Sequence, residues 1–170
     1  MKNRLQIVLA IVVLCNLAMG VSIADEEPTE EEKKQLAVKL TRLLEKDPFH
    51  EDAKEMRKWL TFWLIEVPDV SVSLCGSFLG PVFDKNQKNS AELFVQSGYA
   101  QAVFIIENPE QADNAFEAYK AGLLGTLRTY ESILASKPKA QLKYMDHLIE
   151  LRDNGALDDY VREKMKECEG

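Results

Sequence analysis

Hydrophobic residues recur at intervals of three and four along most of the chain, the period of helices that bury one face. Thr29 and Glu32 form a capping box, and the acidic run from Asp25 to Glu32 suits the positive end of a helix dipole better than a calcium site. Leu36, Leu40, Leu43 and Leu44 carry a first helix from Glu30 to Lys46. Asp47 and Pro48 read as its stop and as the start of a second helix, with Asp47 as N-cap and Pro48 in the first turn. There, Met56, Trp59, Leu60, Trp63, Leu64 and Val67 make a continuous stripe, so Trp59 and Trp63 read as packing residues rather than an exposed aromatic platform. Phe62 and Ile65 lie off that stripe, which predicts that the end of this helix is covered on a second side.

After Pro68 the pattern changes to alternation, Val70, Val72 and Leu74 against Ser71, Ser73 and Cys75. A lone strand has nothing to pair with elsewhere in this sequence, so residues 69–83 read as an extended, partly buried connection with room for a helical turn. The polar stretch Asp84 to Asn89 reads as a surface loop. Ser90 then caps a third helix, Ala91 to Glu107, whose apolar residues cover nearly all faces and which carries no charge between Glu92 and Glu107. This is the expected central helix. Its polar groups must find partners, either in neighbouring helices or in a pocket lined by Gln96, Tyr99 and Gln101.

Asn108, Pro109 and Gln111 read as the capped start of a long helix with one apolar seam from Ala112 through Phe116, Tyr119, Leu123, Leu127 and Tyr130 to Leu134. The pairs Ala118/Gly122 and Ala121/Gly125 put small residues four apart beside the seam, which permits a close helix crossing. Lys137 and Pro138 break the pattern. A fifth helix with Leu142, Met145, Leu148 and Ile149 stops at Asn154 and Gly155, and a last one carries Leu157, Val161, Met165 and Cys168. The expected fold is all-α, a bundle of five to six helices preceded by an N-terminal signal peptide.

The signal peptide is read from Lys2 and Arg4 ahead of an apolar run from Leu5 to Met19, followed by Ser22, Ile23 and Ala24 before Asp25. The division is therefore residues 1–24 as leader and 25–170 as one helical domain. The alternative is an uncleaved membrane anchor from Leu5 to Ile23, a stretch that Gln6, Asn16 and Ser22 interrupt. Lipidation at Cys15 is disfavoured by the bulky Leu14 before it. Cleavage would direct the protein out of the cytoplasm, to the periplasm or extracellular space, with no stable membrane span left.

Composition narrows the partners. The 170 residues are 46% hydrophobic and 29% charged, as in a globular protein. Removing residues 1–24 takes Lys2 and Arg4 and no acid, leaving 146 residues with 19 basic and 28 acidic side chains, a formal charge of −9. Such a surface repels phosphate backbones, so nucleic acid is not expected, and a neutral, basic or apolar partner is, a protein or a small apolar ligand.

Motifs of known chemistry are missing. His50 and His147 sit in no HExxH pattern, no CxxCH is present, and Gly76 to Gly80 lacks the frame of a nucleophile elbow. No cofactor or metal is implied. The segments Leu43 to Pro48 and Ile133 to Pro138 are similar to the end of a tetratricopeptide unit, but no 34-residue period joins them and no family follows. Cys75 and Cys168, the two cysteines left after leader removal, are expected to pair in an oxidising compartment. The expected function is thus that of an exported non-catalytic helical protein with a binding or structural role in the cell envelope or extracellular space. The alternatives are a small-ligand carrier with its pocket beside Gln96, Tyr99 and Gln101, and an enzyme of unrecognised type. Intact-mass measurement on protein from its native cells is expected to show a chain beginning at Asp25; a chain beginning at Met1 in the membrane fraction would establish the anchor instead.

Overall fold

A computed structural model describes residues 27–83 and 87–168, so the leader expected over residues 1–24 and the start of the expected polar loop lie outside the described residues. The described chain is all-α. Six helices follow one another: α1 Glu30–Lys46, α2 Ala53–Glu66, α3 Ser90–Glu107, α4 Ala115–Ser136, α5 Lys143–Asp153 and α6 Leu157–Cys168. Short 3-10 turns occupy Gly76–Phe78, Gly80–Phe83, Pro109–Gln111 and Pro138–Ala140.

Helix α1 begins as expected, with the Thr29 hydroxyl accepting from the Glu32 amide at 3.2 Å and the Glu32 carboxylate accepting from the Thr29 amide at 2.8 Å. Three other starts differ from the sequence reading. Residues 47–52 form turns instead of a first helical turn, and α2 starts only at Ala53, preceded by Asp52 with no side-chain cap. Pro48 is buried, and its carbonyl accepts from Arg57 at 2.6 Å, which ties the turn to the helix that follows. Ser90 is the first residue of α3 rather than its cap; Asn89 takes that place in the left-handed region at φ 60°, a conformation asparagine tolerates. The box at Asn108 to Gln111 makes a 3-10 turn, and α4 is capped instead by Asn114, whose side-chain oxygen accepts from the Glu117 amide at 3.3 Å. The helices thus start five residues later, one residue earlier and six residues later than the expected caps, and of the three observed N-cap residues only Asn114 caps through its side chain.

The antiparallel pair α3 and α4 forms the centre. Thr126 of α4 reaches the carbonyl of Leu93 in α3, and further along Gly122 faces the Ser97 carbonyl and the Gln101 side chain. A Cβ on Gly122 would come within 2.8 Å of that carbonyl, and one on Gly125 would overlap the Cβ of Ala100. The small-residue positions therefore do bring two backbones together, at the cost of helix propensity that glycine carries. On one side, Leu60, Trp63 and Val67 of α2 and Leu44 of α1 pack with Tyr99, Ala102 and Ile105 of α3. On the other, Leu123, Leu127, Tyr130 and Ile133 of α4 pack with Met145, Leu148, Leu157 and Val161 of α5 and α6.

The α5–α6 side is also tied by polar links. The Tyr130 hydroxyl accepts from the Leu142 amide at 2.7 Å and lies 2.7 Å from Asp146 Oδ1. Burial, reinforced by Asp146 against the pull of the Leu142 amide, pushes this phenol up to about 12. The Tyr160 hydroxyl lies 2.7 Å from that of Tyr144 and donates to the Phe78 carbonyl at 2.8 Å. Nearby, Cys75 and Cys168 form a disulfide with Cα atoms 6.0 Å apart, stapling the end of α6 to the connection after α2. The closed loop spans 93 positions, for which the loop-entropy relation gives about 4–5 kcal/mol before strain. Reduction, or Cys168→Ser, is expected to lower the melting temperature followed by circular dichroism and to speed amide exchange first in α6; an unchanged melting curve would remove the staple's role.

Candidate functional site

The three polar residues of the central helix do not converge on a common space. Gln96 is 1% exposed and donates from Nε2 to the Thr41 carbonyl of α1 at 3.3 Å. Gln101, 2% exposed, behaves like a neighbouring strand: its Oε1 accepts from the Ser73 amide at 3.2 Å and its Nε2 donates to the Ser73 carbonyl at 3.1 Å. The extended segment expected to lack a pairing partner thus finds one in a side-chain amide. Tyr99 points toward α2, its hydroxyl 2.7 Å from Thr61 Oγ1 and 3.0 Å from the Arg57 carbonyl oxygen. Burial raises the pKa of its phenol, opposed by the Thr61 hydrogen bond and the Arg57 charge, while burial lowers that of the Arg57 guanidinium.

Glu45 is a buried charge on α1, held against Arg128, whose Nε and terminal nitrogen each donate to it at 2.8 Å. The missing side chain of Gly125 leaves the space for that carboxylate, since a Cβ there would stand 2.9 Å from Glu45 Oε1. Arg42 bridges Glu45 and Glu107 on the outer side. Bidentate geometry and a second cation make this a link between α1, α3 and α4.

His50 and His147 each lie 3.8 Å from one carboxylate, Asp52 and Glu150. Among the described residues no group of three histidine, cysteine, aspartate or glutamate side chains stands together that could hold a metal ion. A cleft of about 690 Å³, lined by Lys88, Asn89, Lys137, Pro138, Lys139 and Ala140, brings ammonium groups to an apolar floor, with Lys137 Nζ 3.1 Å from the centre of the Phe49 ring.

The surface feature that sequence reading placed wrongly is on α2. Phe62 and Ile65, expected to be covered, are 57% and 75% exposed. Trp63 is buried and Trp59 half-buried, with the two rings stacked 6.1 Å apart and 2° from parallel, and both line the same groove as Phe62. It forms a ridge between two grooves of about 280 and 310 Å³, one reaching Leu36 of α1 and the other reaching Tyr99 and Val95 of α3. Exposed Lys58 and Glu66, four residues before and after Phe62, carry the signal that could have marked this as the solvent face.

Among the described residues no helix is long and apolar enough to cross a membrane. No family model matches the chain, and neither the curated proteins nor the solved structures include a significant match to it.

Replacing Gln101 by Leu is expected to destabilise the protein in urea by about 1–3 kcal/mol, because the Ser73 amide and carbonyl lose their partner. An unchanged midpoint would mean that water takes over both bonds and that the amide is dispensable to the fold.

Proposed function

We propose that this is an exported, non-catalytic helical protein that acts by binding a protein partner through the outer face of α2. The observation that carries the reading is the exposure of Phe62 and Ile65 side by side on a helix whose other large apolar residues are turned inward. Keeping an aromatic and a β-branched side chain in water forgoes burial energy on the order of 1.5–3 kcal/mol each. Aromatic ridges of this kind are enriched where proteins meet. The Cys75–Cys168 disulfide suits an oxidising compartment, and the acidic surface of residues 25–170 suits a protein partner over nucleic acid.

A photo-crosslinking amino acid placed at position 62 or 65, activated in the native cell, is expected to yield a discrete covalent adduct with a protein. The same group at Glu150, exposed on α5, is expected to yield none. Adducts absent from both α2 positions would overturn the reading.

A further inference from the structure

We propose that the occupant of the α2 face is a second copy of this chain, related by a two-fold axis through Phe62 with the two α2 helices antiparallel. This rests on the binding role of that face. A two-fold interface must be self-complementary: a residue a given number of positions before the axis meets the one equally far after it. The order of residues on α2 meets this condition on both counts. Three positions either side of Phe62 stand Trp59 and Ile65, so each aromatic ring of one copy faces the aliphatic side chain of the other. Four positions either side stand Lys58 and Glu66, so each ammonium group faces a carboxylate, twice over. Among the described residues neither Lys58 nor Glu66 closes an ion pair within its own chain; Glu66 exerts only an electrostatic pull on Lys33.

The parallel arrangement is worse on the same test, because it sets Lys58 beside Lys58 and Glu66 beside Glu66. Net charge makes the local balance matter. Two copies at −9 each repel at a distance, yet the charged side chains lining the two grooves beside Phe62 are three bases, Lys33, Arg57 and Lys58, and three acids, Glu32, Glu66 and Glu92. This face is neutral on an acidic molecule, so it is where two copies approach at least electrostatic cost. The axis through Phe62 sets the two Phe62 rings against each other, with a groove on each side of the contact.

The contact is short. Fourteen residues of α2 extend about 21 Å, which places the interface at the small end of stable assemblies and sets the expected dissociation constant in the micromolar range. Sedimentation velocity of the purified protein from about 1 µM to about 500 µM is expected to show a monomer passing into a species of twice its mass. Phe62→Asp should leave a monomer throughout with its helical circular dichroism spectrum retained, since more than half of the Phe62 surface already lies in water. Lys58→Glu and Glu66→Lys should each weaken association about tenfold or more, and the double variant Lys58→Glu/Glu66→Lys should recover it to within about threefold.

A monomer at every concentration, a dimer that survives Phe62→Asp, or a double variant no tighter than the singles would each overturn the proposal. The crosslinking experiment separates the two levels. An adduct at position 62 with the mass of two chains supports the dimer. An adduct with a different protein, alongside a monomer in sedimentation, overturns the dimer and leaves the binding role of α2 standing; no adduct removes both.

Discussion

Helices α3 and α4 approach closely because Gly122 and Gly125 present no Cβ to Ser97, Ala100 and Gln101, and the other contacts of the molecule depend on that approach. A close crossing brings the inner face of α3 into contact along its whole length, so its polar side chains cannot turn to water there. Gln96, Gln101 and Thr126 are 2% exposed or less, and each must be matched within the protein. Gln96 answers by holding α1 at Thr41, and Gln101 by holding the extended connection at Ser73. The same absence of a side chain at Gly125 admits Glu45, which then requires Arg128. Substituting either glycine would therefore push on a backbone or an ion pair rather than on a flexible chain end, and overpacking of that kind costs about 1–3 kcal/mol.

Periodicity made most of this architecture legible. The seam from Phe116 to Leu134, the pair Ala118/Gly122, the stop at Gly155 and the box at Thr29 all describe local chemistry that packing reinforces. Where the reading failed, two residues of similar capping power competed. Asp47 and Asn108 had the right composition, and the helices began instead after Asp52 and Asn114 because the chain needs extra residues to turn between packed helices. The pairing of Cys75 with Cys168 was legible for a different reason, since residues 25–170 contain no other cysteine.

The candidate site was less legible, and the cause is physical. Buried amides and binding amides have the same composition and the same periodic position, and only the geometry of their partners separates them. Gln96 and Gln101 have their donors taken up by backbone carbonyls, while Tyr99 alone of the three reaches the wall of a groove. Phe62 and Ile65 presented the opposite problem. An apolar residue off the main stripe is read as buried on a second side, because burial is the common fate of such residues, and neither α1 nor α3 wraps far enough around α2 to cover them.

Rigidity suits that exposed face to the binding role proposed for it. Association costs conformational freedom, and a ridge already fixed on its scaffold loses little when it docks. Leu60, Trp63 and Val67 fix the inner face of α2 in the core, the Tyr99 hydroxyl holds its middle through Thr61 and the Arg57 carbonyl, and Arg57 ties its start to Pro48. The stacked Trp59 and Trp63 rings order one wall of the groove beside Phe62. Meanwhile the disulfide and the tyrosine links act on α6 and the connection after α2, away from the ridge, so neither covers it. A helix held this firmly on its inner face and left open on its outer one presents a fixed pattern of ring, aliphatic side chain and charge. For a fixed pattern, the order of residues along the helix decides which partner fits, and on α2 apolar side chains stand three positions either side of Phe62 while opposite charges stand four positions either side. Those are the two properties that an antiparallel copy of the same helix requires.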